Sequence, residues 1–86
     1  MEIDWSDESK ADMKAFERKL QGFFLSHSEK LARMPPRRHM QHWLPWNVED
    51  VTKQARLVYL ADGDILRVIR CFATHKEYER WYQSYR

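Results

Sequence analysis

The sequence predicts a single α+β domain in the order β-α-α-β-β-β-α, with a twisted antiparallel sheet packed against helices on one face and lined with basic residues on the other. Three observations carry that reading. Apolar residues between 7 and 26 recur at helical spacing. Residues 46–74 alternate as strands, with Asp-Gly-Asp between two of them. Residues 78–85 then return to helical spacing. A chain of 86 residues has the length of one domain and buries a thin core, so any site is expected as a shallow groove on one face. Four Trp, four Tyr and four Phe supply large rings for that core.

Each element has its own signal. MEIDW reads as a short strand with Ile3 and Trp5 on one face, and Ser6 and Asp7 then supply helix-capping groups. Met13, Phe16, Leu20, Phe23 and Phe24 lie on one helical stripe, so the first helix is expected from Asp7 to about Ser26, weakened at Gly22. Ser28 is expected to cap a second, short helix through Arg33, which Pro35 and Pro36 stop. Residues 35–45 are expected as a basic loop carrying His39, His42 and Trp43. In WNVEDVT, Trp46, Val48 and Asp50 fall on one side and Asn47, Glu49 and Val51 on the other. QARLVYLA and DILRVIRCFA are the next two strands, hinged at Gly63, which can take positive φ. Thr74 and Glu77 form a T-x-x-E capping box for the last helix, whose Tyr78, Trp81, Tyr82 and Tyr85 share one face.

The net charge of +2 conceals a gradient. Residues 1–17 hold six carboxylates and two lysines, whereas Lys30, Arg33, Arg37 and Arg38 precede Val48 without an intervening acid. A basic face of this kind attracts polyanions, nucleic acid first. No apolar run approaches the roughly 20 residues of a membrane span. The acidic start is unlike a signal peptide, and the single cysteine excludes an internal disulfide. A cytoplasmic location is the expectation, with no membrane partner.

Metal and thiol chemistry find little support. His39 and His42, and Cys71 and His75, come from different elements and lack the three or four framed ligands zinc needs, so no metal and no cofactor are expected. Cys71 falls in an apolar strand, where a cysteine acts as a small hydrophobe. With two glycines, the chain has no phosphate-cradling loop. What remains is a surface set. Arg56 lies in a strand, Arg67 and Arg70 in the next, His75 and Lys76 at the start of the last helix, Tyr82 two turns on, and Glu49 in the first strand of the meander. Arg56 either faces a phosphate in a groove or pairs with Glu49 or Asp50.

The run ARLVYLADGDILRVIRCFATHKEYERWY resembles the C-terminal half of the RelE/ParE toxin superfamily, and THKEY within it is similar to the T-H-x-E-Y segment of its HigB branch. The likeness spans about residues 46–85 by pattern, and the upstream elements agree in order. It implies the RelE-like microbial RNase fold. It also implies a toxin of a type II toxin–antitoxin system, a metal-independent endoribonuclease that cleaves mRNA, associated with the ribosome, by 2′-OH attack on the scissile phosphate. A cognate antitoxin would be its partner. The matching positions are Arg56 at the phosphate, Lys76 as a second cation, Tyr82 positioning the reacting groups and His75 in proton transfer. Where RelE carries lysines on the first meander strand, this chain has Asn47 and Glu49, and a glutamate there acts as base in YoeB-like members. Glu49 and His75 are therefore rival bases. Arg37, Arg38, Lys53, Trp43 and Arg70 complete the implied RNA-binding set; Trp43, Trp46 and Tyr82 are candidates to stack on bases, with core packing or an antitoxin interface as the alternative for the tryptophans. The alternatives are a ParE-like gyrase inhibitor, or a relative without chemistry that binds only nucleic acid or antitoxin.

Overall fold

The computed structural model of the chain describes residues 1–33 and 46–85. Along the sequence come β1 (Glu2–Trp5), α1 (Asp7–Lys14), α2 (Arg18–Arg33), β2 (Asn47–Asp50), β3 (Arg56–Asp62), β4 (Ile65–Phe72) and α3 (His75–Gln83). The order matches the sequence expectation. The four strands form one sheet, β1-β4-β3-β2. The meander β2-β3-β4 is antiparallel as expected, and β3 turns into β4 through Gly63 at φ 60°. β1 joins β4 in parallel, so the sheet is mixed rather than wholly antiparallel. This follows from the crossover through α1 and α2, which returns the chain to the sheet in a way a hairpin cannot.

Strand alternation sorts the side chains into two cores. On one face Leu57, Tyr59, Leu66, Val68 and Cys71 pack with Phe24, Leu31 and Ala32 of α2, flanked by Ile3, Trp5, Met13, Phe16 and Leu20. On the other, Trp46, Val58 and Phe72 pack with Tyr78 of α3, flanked by Val48, Leu60, Ile69, Trp81 and Tyr82. That second face was expected to be open and lined with basic residues. The aromatic stripe of α3 covers it instead, because those rings bury more apolar area against the sheet than water would leave them. The alternation of β4 is broken once. Tyr59 is opposite Val68 and Val58 opposite Arg70, so Ile69 is an extra residue in the strand, a β-bulge.

The helices are divided differently from the expectation. The break falls at residues 15–17 rather than near Ser26. Ala15 closes α1, and the Gln21 side-chain amide donates to the Met13 carbonyl at 2.6 Å, serving one of the carbonyls a helix end leaves open. The apolar stripe runs through this bend, with Phe16 stacked on Phe24 at 5.3 Å between ring centroids. Ser28 does not cap a helix. It lies inside α2, 1% exposed, and its hydroxyl donates to the Leu25 carbonyl. A serine hydroxyl serves either purpose, and here the continuing stripe decides.

α1 closes the edge of β4 beyond the end of β1. Ser6 N–H donates to Val68 O and the Ser6 hydroxyl to Ile69 O, and the same hydroxyl accepts from Ser9 N–H as the N-cap of α1. One turn on, Asp12 takes both Nε (2.7 Å) and Nη2 (2.9 Å) of Arg70 and the backbone N–H of Cys71 (2.9 Å). The Asp12 side chain is 15% exposed. Asp12→Ala leaves the Arg70 charge partly buried and one strand N–H unpaired, and should cost about 2–4 kcal/mol in urea unfolding. The double variant Asp12→Ala, Arg70→Met should recover much of that loss. A loss under about 1 kcal/mol in the single variant would show the carboxylate to be an ordinary surface pair.

Candidate nucleic-acid interface

Arg56 opens β3 on the α3 face of the sheet. Its neighbours across the strands are Asp50 on β2 and Phe72 on β4. The guanidinium is held firmly. Nη1 donates to the carbonyls of Thr52 (3.2 Å), Lys53 (3.2 Å) and Ala55 (3.0 Å), and Nε lies 3.1 Å from Asp50 Oδ1. The turn that supplies those carbonyls is itself fixed by the Thr52 hydroxyl, which accepts from the N–H groups of Gln54 and Ala55. The Arg56 side chain is 13% exposed, whereas that of Asp50 is 67% exposed. The salt-bridge reading of Arg56 is therefore realised, with Asp50 as the partner and not Glu49. Lys53 is exposed on the same turn.

α3 brings three more groups to this face. Thr74 caps it, accepting from Glu77 N–H at 3.1 Å and donating to Glu77 Oε1 at 2.9 Å, as the capping-box spacing requires. His75 and Lys76 are then exposed on the first turn. His75 Nε2 lies 3.1 Å from Glu79 Oε1 one turn along, which leaves Nδ1 for another partner. Tyr78 is 5% exposed, and its ring lies 6.2 Å from His75, 5.0 Å from Tyr82 and 6.0 Å from Phe72. Burial, then the nearby Tyr82, raise the Tyr78 phenol to about 12, with the Arg56 charge opposing and Asp50 reinforcing the shift. The hydroxyl thus stays protonated at neutral pH.

Other expected site residues fall elsewhere. Glu49 points to the opposite face, where His27 Nδ1 (3.2 Å) and Lys30 Nζ (3.7 Å) of α2 hold its carboxylate. Strand alternation makes this unavoidable once Asp50 faces Arg56, so Glu49 is not brought together with Arg56, His75 or Tyr82. Arg70 is committed to Asp12, which raises its pKa, and its guanidinium carbon lies 4.9 Å from the Phe72 ring centroid. Trp46 packs against Trp81 at 4.5 Å and is 8% exposed, so its ring is internal rather than a platform for bases. Arg37, Arg38, Trp43, His39 and His42 lie outside the described residues. Among the described residues no three His, Cys, Asp or Glu side chains are grouped to hold a metal ion, and no helix is long and apolar enough to cross a membrane. The site residue missed from sequence is Tyr78, whereas Asp50 was one of the two partners expected for Arg56. The signal of Tyr78 was absorbed into the apolar face of α3.

No protein-family model matches the chain, and no curated protein does. Solved structures do match. The RelBE toxin–antitoxin complex of E. coli aligns over 81% of this chain and 92% of the matched chain, at a TM-score of 0.71 and 11% identity. The YoeB dimer of Staphylococcus aureus covers 83% and 93%, at 0.71 and 17%. A YoeB/ParE toxin of Agrobacterium tumefaciens covers 83% and 95%, at 0.65 and 20%. The mixed sheet and three helices are thus the fold of the RelE and YoeB toxins, whose structures this chain resembles.

Cys71 is 2% exposed in the α2-side core, and burial, reinforced by Asp12, pushes its thiol up to about 12. It should therefore remain unmodified by an aromatic disulfide reagent at pH 8 in the native protein and react fully once guanidinium unfolds the chain. Rapid labelling of folded protein would reopen Cys71 as a chemical group.

Proposed function

We propose that this chain is the toxin of a type II toxin–antitoxin pair, an endoribonuclease that cleaves mRNA on the ribosome. The observation that carries the proposal is the anchored Arg56, set on one sheet face with the start and the tyrosines of α3. Its Nη1 is tied to three backbone carbonyls, so the cation is oriented before any ligand arrives. A positioned, planar cation is what a phosphate undergoing substitution requires. The fold shared with RelE and YoeB supports the same reading, and the RelBE and YoeB–YefM structures are complexes of those toxins with their antitoxins. A cognate antitoxin is the implied partner here.

RNA carries its own nucleophile, so the reaction needs no metal-activated water. His75 takes the 2′-OH proton through Nδ1. The O2′–P bond forms and the P–O5′ bond breaks. The 5′-oxygen gains a proton from solvent, giving a 2′,3′-cyclic phosphate and a 5′-hydroxyl. Arg56 and Lys76 offset the charge that accumulates on the phosphoryl oxygens. The imidazolium formed on His75 is stabilised by the Glu79 carboxylate at 3.1 Å. Glu49, on the other face, has no part in these steps. Tyr82 adjoins the site through Tyr78 and serves to position substrate, and the exposed Lys53 supplies charge to the RNA backbone.

Expression of the wild type should arrest growth and produce new mRNA 5′ ends in coding regions. His75→Ala should lower cleavage about 100-fold or more, and Arg56→Ala by a similar factor, with growth restored in both. Growth arrest without new 5′ ends would instead favour a gyrase-directed or binding-only toxin. Two variants as toxic as wild type would remove Arg56 and His75 from the site.

A further inference from the structure

The geometry points to Tyr78, rather than Tyr82 alone, as a hydrogen-bond donor to the phosphate held at Arg56. This inference rests on the nuclease reading and adds a residue to it. Three strands place Asp50, Arg56 and Phe72 side by side in register, and the Tyr78 ring rests on Phe72. Its other ring neighbours are His75 and Tyr82, so it sits between the proton-transfer group and the tyrosine named by resemblance. Tyr78 is the most deeply buried residue of α3, and its ring is fixed within the Phe72–Trp81 cluster.

A buried tyrosine ring packed beside the strand positions of an ion pair has a defined chemical use. The raised phenol keeps its proton at neutral pH, so it cannot serve as a base. It can donate one hydrogen bond to a non-bridging phosphoryl oxygen, which strengthens as that oxygen gains charge. Arg56 supplies charge from β3 and Tyr78 supplies a neutral donor from α3. The two come from elements that meet across Phe72, so the donor pair is fixed by packing rather than by loop closure. No proton leaves Tyr78 in the reaction.

Tyr78→Phe removes only the hydroxyl and keeps the ring in its cluster. The test is single-turnover cleavage of a reporter mRNA on translating ribosomes, measured against toxin concentration. The maximal rate should fall about 10- to 100-fold while the half-saturating concentration stays within about twofold and the thermal midpoint is unchanged. If Tyr78→Phe matches the wild type while Arg56→Ala is inactive, Tyr78 is packing only and this inference fails alone. A raised half-saturating concentration with an unchanged maximal rate would also overturn it, since the hydroxyl would then aid binding and not the transition state. If the wild type cleaves no RNA, the nuclease reading falls and takes this assignment with it.

Discussion

The carboxylate of Asp12 is the constraint on which the molecule depends. β1 ends at Trp5, opposite Val68, and β4 runs on to Phe72. The unpaired stretch of edge would offer its backbone groups to water or to another chain. Asp12 fills the N–H of Cys71 and holds Arg70 with the same two oxygens, while Ser6 takes the carbonyl of Ile69 a few residues earlier. α1 is thereby fixed along the edge rather than free to pivot. Its position sets the bend at residues 15–17, and the bend sets the angle at which Phe24 and Leu31 of α2 enter the core. Arg70 cannot serve this clamp and a nucleic acid together without giving up two hydrogen bonds.

The sheet then acts as a partition. Its two faces hold different populations of charge. Glu49, His27 and Lys30 join α2 to β2 on one side. Asp50, Arg56 and the α3 residues gather on the other. Adjacent carboxylates on one short strand thus enter unrelated networks, because a strand turns every second side chain through the sheet. Arg56 combines low exposure with a set of backbone acceptors, which limits both its hydration and its rotamers. A lysine at that position would keep the charge and lose the planar fork that reaches several carbonyls at once.

Much of this was legible from residues in local patterns. Gly63 between two acids marked the hairpin, Thr74 and Glu77 marked the start of α3, and Tyr78, Trp81 and Tyr82 marked its apolar face. These signals are short-range and need no knowledge of the rest of the chain. The break between α1 and α2 was not legible, since Met13, Phe16, Leu20 and Phe24 continue one stripe across it. The face covered by α3 was not legible either, because amphipathicity names the buried side of a helix but not what buries it. The alternation of β2 separated Asp50 from Glu49 correctly. Which of them would meet Arg56 depended on register with β3, a long-range quantity that local pattern does not encode. The parallel seat of β1 was hidden for the same reason.

The extra residue at Ile69 has a consequence that reaches beyond its own strand. Upstream of it, the even positions Leu66 and Val68 face α2. Downstream, the odd position Cys71 does, and Phe72 turns toward α3. The bulge is a change of phase in the reading of the strand. Pairing the same residues one to one, without the bulge, would invert everything that follows, setting Phe72 against α2 and Cys71 under α3. The ring on which Tyr78 rests would then be on the wrong side of the sheet. An irregularity in pairing thus decides which side of the sheet the end of β4 presents to each helix.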